Sequence, residues 1–108
     1  MSVNKIILIG NIGNDPEIKE VNGNKLAKLS LATSEKYTNK QGEKVENSEW
    51  HNVTFWGRTA EVVEQYVKKG MKLYVEGSIK YNKVEKDGNT TYYTEVRGQV
   101  MQMLSKID

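Results

Sequence analysis

The stretch SEWHNVTFWG, residues Ser48–Gly57, contains the strand that decides the fold. Side chains of a β-strand point alternately to opposite faces. One face of this strand carries His51, Val53 and Phe55, which is the pattern of a hydrophobic core. The other face mixes two large rings with two polar side chains: Trp50, Asn52, Thr54 and Trp56. We therefore expect the second face to lie outside the core.

A helix is predicted directly after this strand, over about Thr59 to Lys69. Apolar residues recur there at helical spacing: Val62, Val63, Tyr66 and Val67. Thr59 suits the N-cap, and Gly70 suits the C′ position. Lys68 and Lys69 would lie at the negative end of the helix dipole, where cations are favoured.

Working outward, strands are predicted before and after this unit. Their approximate ranges are Val3–Asn11, Leu26–Thr33, Met71–Ile79 and Thr91–Leu104. A polar loop is expected over about Thr38 to Asn47, and Asp87-Gly88 is typical of a tight hairpin. Three strands, one helix and two strands predict an all-β chain, the five-stranded OB-fold barrel with one helix between its third and fourth strands. A five-stranded sheet of another kind fits the same pattern.

Length and composition indicate one domain over residues 1–108 and exclude several kinds of site. The chain has no cysteine, so a disulfide framework and a thiolate metal site are excluded. His51 is the only histidine, which excludes a histidine metal cluster and makes a structural role for His51 the simpler interpretation. The apolar run Ile6–Ile9 is too short for a signal peptide, and none approaches the length of a membrane span.

No catalytic constellation is recognisable in the sequence. A phosphate-binding glycine loop, a nucleophile elbow and an acidic metal cluster are all missing. We therefore expect a protein that is not an enzyme, with no cofactor and no catalytic or metal-binding residue. The net charge of +2 is that of an ordinary soluble surface, so a nucleic-acid interface would have to be built by segregating charge.

The face that carries Trp50 and Trp56 is the first candidate site. Two exposed rings point to a partner. Nucleic-acid bases stack on aromatic rings irrespective of sequence, which makes a single strand the favoured partner. Burial between subunits is the alternative interpretation.

The hairpin between the last two predicted strands is the second candidate. It carries Tyr81, Val84 and three lysines: Lys80, Lys83 and Lys86. OB folds bind oligonucleotides with help from this loop, and lysines there suit phosphates, although each single lysine is more often a solvated surface charge.

Several segments together resemble the bacterial single-stranded-DNA-binding proteins. In chain order they are VNKIILIGNIGNDPE, LATSEKY, EWHNVTFWGR, AEVVEQYVKKG, LYVEGSIK, YYTEV and MQML, and they extend over nearly the whole chain. The resemblance implies an OB fold assembled as a homotetramer. It also implies sequence-independent binding and protection of single-stranded DNA in replication, recombination and repair, in the bacterial cytoplasm and associated with the nucleoid.

The resemblance also implies which residues bind the strand. Tyr37, Trp50 and Trp56 match family positions on which bases stack. Backbone contacts are implied for the matching basic residues, which are Lys5, Arg58, Lys69, Lys80 and Lys83. His51 matches a family position close to subunit contacts.

The sequence departs from the family pattern at two places. A fourth family aromatic is replaced by Val84, with Tyr81 nearby in a different register. The sequence also ends at Asp108 without the acidic tail with which family members recruit replication and repair proteins. Alternatives to DNA binding are an oligomerisation or protein-interaction module and an RNA-binding barrel, and a nuclease is disfavoured because an acidic metal constellation is missing.

Overall fold

The computed structural model describes residues 1–105. The expectation about an acidic tail at Asp108 concerns residues outside this range. The described residues form six strands and one helix. In chain order these are β1 (Ile6–Ile12), β2 (Glu17–Val21), β3 (Asn24–Thr38), β4 (Lys44–Trp56), α1 (Arg58–Tyr66), β5 (Lys72–Lys86) and β6 (Asn89–Met103).

Five of these strands close into a ring within residues 1–105. The order is β1-β5-β6-β4-β3, and β1 closes it by pairing with β3 at Asn11↔Ala32 and Ile12↔Leu31. The pairs are antiparallel except for β4 and β6, which run parallel at Val53↔Val96. Along the chain, α1 lies between β4 and β5, which are the third and fourth of the five ring strands in sequence order. This arrangement is the predicted OB fold.

The core of the barrel contains the predicted inner face of β4. Val53 and Phe55 are completely buried, together with Leu31, Leu73 and Val75 from neighbouring strands. The ring of Phe55 occupies the space that a Cβ would need at position 98, so Gly98 lets β6 pass close to this ring.

The structure differs from the sequence prediction at the helix. It covers Arg58–Tyr66 rather than Thr59–Lys69, and its N-cap is Gly57 rather than Thr59. Val67 is already extended and buried in the core, and Lys69 donates its backbone N–H to Asp15 Oδ1 at 3.1 Å. Lys68, Lys69 and Gly70 therefore belong to the link that follows the helix. Within residues 1–105, no helix has the length and apolarity to cross a membrane.

The outer strands are also more extensive than predicted. β3 and β4 form a ribbon whose turn spans only residues 39–43, so most of the loop expected at Thr38–Asn47 is strand. β2 was not predicted, although Asn22 and Gly23, both at positive φ, form the tight turn that joins it to β3. Residues 44–47 are largely exposed, and β2 packs only Ile18 against the core, so neither segment shows the apolar alternation by which a half-buried strand is recognised.

The predicted Asp87-Gly88 turn is confirmed. Asp87 and Gly88 both have positive φ, and Lys86 pairs with Asn89 across the turn. Further down the hairpin, Glu76 pairs with Val100 but Gly77 pairs with Gly98, so β6 has one extra residue at this point. Such a bulge bends the strands. The β5–β6 hairpin extends beyond the barrel only after the β4–β6 pair Val53↔Val96, toward its turn at Asp87-Gly88.

Candidate nucleic-acid interface

The outer face of β3 and β4 presents both tryptophans to solvent, as predicted. Trp50 is 61% exposed and Trp56 is 37% exposed. They lie on the same side of the ribbon, opposite Ala32 and Leu26 of β3. Asn52 and Thr54 lie between them, and we call this surface, formed by Trp50, Asn52, Thr54 and Trp56, the tryptophan face.

The link between β1 and β2 fixes one end of the tryptophan face. Gly13 donates its N–H to the carbonyl of Ser30 at 2.9 Å, and Ser30 donates its N–H to Asn14 Oδ1 at 3.0 Å. These bonds hold Gly13 against the indole of Trp50, so a Cβ at position 13 would overlap that ring. Glycine at this position therefore allows the observed orientation of Trp50.

Replacing Gly13 by Ala is expected to displace the Trp50 ring and, because that ring is exposed and free to move, to lower the free energy of unfolding by less than about 1 kcal/mol. The chain has two tryptophans, so Trp56→Phe leaves Trp50 as the sole tryptophan. In that background Gly13→Ala should change the emission maximum and the acrylamide quenching of Trp50. The matched control is Gly13→Ala in a Trp50→Phe background, where the emission of Trp56 should not change. Unchanged emission from Trp50 would contradict the contact.

The β5–β6 hairpin forms a second wall beside the tryptophan face. The two surfaces enclose a groove with a volume of ≈ 410 Å³. We define the groove by six of its lining residues: Lys28, Asn52 and Thr54 on the β3–β4 side and Asn82, Tyr93 and Glu95 on the hairpin.

A carboxylate joins the two walls of the groove. Thr54 is buried and donates its hydroxyl to Glu95 Oε2 at 2.5 Å, and the Asn82 amide donates to Glu95 Oε1. Burial opposes ionisation of Glu95, but these two hydrogen bonds and the charges of Arg97 and Lys28 outweigh it and lower the pKa of Glu95. Glu95 is therefore ionised at neutral pH, and its bonds hold the hairpin against β4.

The structure does not bring Tyr37 onto the tryptophan face. Tyr37 pairs with Val45 near the tip of the β3–β4 ribbon and is 46% exposed. The ladder from Ala32↔Trp50 to this pair is continuous, so strand alternation places Tyr37 on the side of the ribbon that carries His51. The predicted stacking role of Tyr37 stays a prediction. Bases could reach both Tyr37 and the tryptophan face only if the bound nucleic-acid strand passed around the ribbon.

Three of the five predicted basic residues lie near the tryptophan face. Arg58 is exposed and follows Trp56 by two residues, at the start of α1. Lys69 is exposed, and its backbone N–H donates to Asp15. Asp15 lies in the β1–β2 link, which also contains Gly13. Lys80 is exposed on the hairpin and shares a face with Asn82 of the groove.

The other two basic residues lie elsewhere. Lys5 forms an ion pair with Glu76 at 3.0 Å, on the β1–β5 side of the barrel. The Tyr74 hydroxyl and Lys5 together lower the pKa of Glu76. Lys83 forms an ion pair with Glu85 at 3.0 Å and lies on the opposite face of the hairpin from Asn82. The structure therefore does not group Lys5 and Lys83 with the tryptophans.

Sequence reasoning missed four residues of the groove: Lys28 on β3, and Asn82, Tyr93 and Glu95 on the hairpin. The Asp87-Gly88 turn contains a signal for the pairing of the hairpin residues, because a two-residue turn fixes the register of the strands that it joins. Counting back from Lys86↔Asn89 places Asn82 opposite Tyr93, as observed.

The interface has the chemistry of a binding surface. His51 makes a 2.9 Å hydrogen bond to Thr33, so its side chain is satisfied within the barrel. Over residues 1–105, His, Asp and Glu side chains form no group of three that could hold a metal ion. Exposed rings, amides and cations remain, and these groups suit flat bases and phosphates.

Comparison with known proteins identifies the family. Residues 3–104 match the Single-strand binding protein family. A single-stranded DNA-binding protein of Xylella fastidiosa is 44% identical over 104 residues, which are 94% of this chain and 63% of the relative. The chain therefore spans less than two thirds of the length of that relative.

Solved structures of two relatives share the fold. The Plasmodium falciparum SSB in complex with ssDNA superposes with a TM-score of 0.87 at 31% identity, over 97% of both chains. A deletion mutant of the single-stranded DNA binding protein from Thermus aquaticus gives a TM-score of 0.82 at 30% identity, over 95% of this chain and 51% of that chain. The family match covers nearly the whole sequence, and the chain belongs to the Single-strand binding protein family.

Proposed function

We propose that this chain binds single-stranded DNA without sequence preference, by stacking bases on Trp50 and Trp56 and attracting phosphates to nearby cations. The observation that carries the proposal is the tryptophan face, where two rings stay exposed on one side of the paired strands β3 and β4. Every base has a π-face, so stacking is tolerant of sequence. The proposal is supported by the relative of Plasmodium falciparum, which is described in complex with ssDNA.

The proposed mechanism is sequestration, with no bond made or broken. Cations beside the tryptophan face draw the strand in by replacing its counterions. Bases stacked on Trp50 and Trp56 are held against the protein surface, so the bound strand is kept from re-annealing with a complement. A role in replication, recombination and repair follows from the resemblance to the bacterial proteins.

We also propose that copies of this chain associate, as the resemblance implies for a homotetramer. Three exposed apolar side chains support association, because strand pairing places Ile7, Ile9 and Val100 on one outer face of β1, β5 and β6. This face also carries the Lys5–Glu76 ion pair, and its exposed apolar side chains are stabilised when a second subunit covers them. This face differs from the tryptophan face, so assembly on it would leave Trp50 and Trp56 accessible.

The proposed function is tested by following tryptophan fluorescence while a single-stranded oligonucleotide is added. We expect strong quenching by single-stranded DNA and none by duplex DNA. Each neutralised phosphate contributes about −0.7 to the slope of log K against log[salt], so contacts from Arg58, Lys69 and Lys80 predict a slope of about −2. Lys80→Ala should reduce the magnitude of the slope, and the matched variant Lys83→Ala, on the opposite face of the hairpin, should change it less.

Other outcomes of this titration point to other functions. A lack of binding at low salt would overturn the proposal and favour an interaction module. Equal affinity for an RNA and a DNA strand of the same sequence would show a general single-strand binder, because only contacts to the 2′-hydroxyl separate the two.

A further inference from the structure

One aromatic ring on the wall of the groove has no part in the proposed mechanism. Tyr93 is 56% exposed and lies in β6, opposite Asn82 of β5. Tyr93 lines the groove together with Asn52 and Thr54, the two residues between the tryptophans, and the strand register places its side chain on the same side as Asn82. Tyr93 therefore faces the middle of the tryptophan face from the other wall.

The register of the hairpin separates Tyr93 from the other exposed rings near it. Asn82, Val84 and Tyr93 lie on the groove side, because Asn82 pairs with Tyr93 and Val84 with Thr91. Tyr81 and Tyr92 lie on the opposite side. Tyr81 therefore cannot supply a ring on the face of Val84. Tyr93 can, since it is the diagonal neighbour of Val84, at about 7–8 Å.

We propose that Tyr93 is a base-stacking residue, and that the groove holds one base between Tyr93 and the amide of Asn52. The inference rests on the proposed function and adds a contact from the hairpin wall. A strand lying along the tryptophan face must pass Asn52 and Thr54 between Trp50 and Trp56. A base there has no ring beneath it on β4, and Tyr93 offers one across the groove.

The charges around the groove favour a base over a phosphate as its occupant. Glu95 is ionised between Thr54 and Asn82, and a carboxylate at this depth repels phosphate oxygens. The same carboxylate can accept a further hydrogen bond from an amino group on a base edge. The lining holds a second carboxylate, Glu17, directly opposite the exposed Lys28 across β2 and β3, so its charges do not attract a phosphate into the groove.

The inference is tested by comparing three variants in the fluorescence titration, which reports through the tryptophans and not through Tyr93. Tyr93→Ala should weaken binding of single-stranded DNA about 5- to 150-fold, the loss of one stacked base. Tyr93→Phe keeps the ring and should bind like the parent. Tyr92→Ala removes a ring of similar exposure, 66%, from the opposite side of the hairpin and is the matched control.

A photocrosslink gives a readout that a structural role of Tyr93 would not produce. An oligonucleotide containing 5-iododeoxyuridine should crosslink to residue 93 and not to residue 92, as assigned by fragmentation of the labelled peptide. Crosslinking together with a loss of affinity in Tyr93→Ala alone supports the inference. Unchanged affinity of Tyr93→Ala overturns it, and an equal loss in Tyr93→Phe overturns stacking as the mode of contact.

The controls separate this inference from the proposed function. If the parent binds and Trp56→Ala weakens binding while Tyr93→Ala does not, the strand follows the tryptophan face without using the hairpin wall. If the parent does not bind, both proposals fail. The melting temperature of each variant shows whether the fold is kept. We expect it to be unchanged in Tyr93→Ala, because Tyr93 is exposed and its removal should leave the core intact.

Discussion

Replacing Phe55 by Ala is expected to lower the free energy of unfolding by about 3–5 kcal/mol, the usual cost of removing a large buried ring. Phe55 is completely buried and packs against the backbone of Gly98. The cavity cannot be filled easily, because Gly98 has no side chain to move into it and both strands are held by their ladders. The loss is a large part of the stability of a domain of this size.

Chemical denaturation at one fixed protein concentration measures this loss, since subunit association would make stability depend on concentration. Tyr81→Ala removes an exposed ring, 70% accessible, and should change stability by less than about 1 kcal/mol. If Phe55→Ala does not fold, Phe55→Leu keeps most of the volume and should show a smaller, measurable loss. Equal losses for Phe55→Leu and Tyr81→Ala would contradict the central position of Phe55.

The same residue shows why much of the fold could be predicted from the sequence. In β4, strict alternation separates Val53 and Phe55 from Trp50 and Trp56, so one strand specifies both the core and the exposed face. The change to helical spacing after Gly57 identifies α1, whereas its end depends on Val67 entering the core and on Asp15, which lies far away in the chain. Local patterns predict elements well and predict their ends poorly.

The groove shows what the sequence could not provide. Its two walls meet because β4 and β6 pair in parallel at Val53↔Val96, a contact between distant segments. The side of the hairpin that faces the tryptophan face follows from the same pairing, because strand alternation from the buried Val96 places Glu95 and Tyr93 on the outer side of β6. The turn at Asp87-Gly88 predicts that Tyr93 lies opposite Asn82, but only the tertiary structure places both beside the tryptophan face.

Replacing both Trp50 and Trp56 by Ala is expected to produce the largest loss of DNA affinity. Each stacked base is worth about 1–3 kcal/mol. The two residues are six positions apart on one strand, or about 20 Å, so their contributions should add. The double variant should therefore lose about 2–6 kcal/mol of binding free energy, and each single variant about half of that.

The double variant contains no tryptophan, so its affinity has to be measured with a fluorescently labelled oligonucleotide. Tyr66→Ala, which removes a partly exposed ring from α1, is the matched control and should bind like the parent. Circular dichroism should show an unchanged fold, because both tryptophans lie outside the core. Sedimentation should show an unchanged assembly, because the apolar face of Ile7 and Ile9 is separate. If instead the double variant binds DNA normally and dissociates into smaller species, Trp50 and Trp56 are interface residues, and the cations and the groove must carry the affinity.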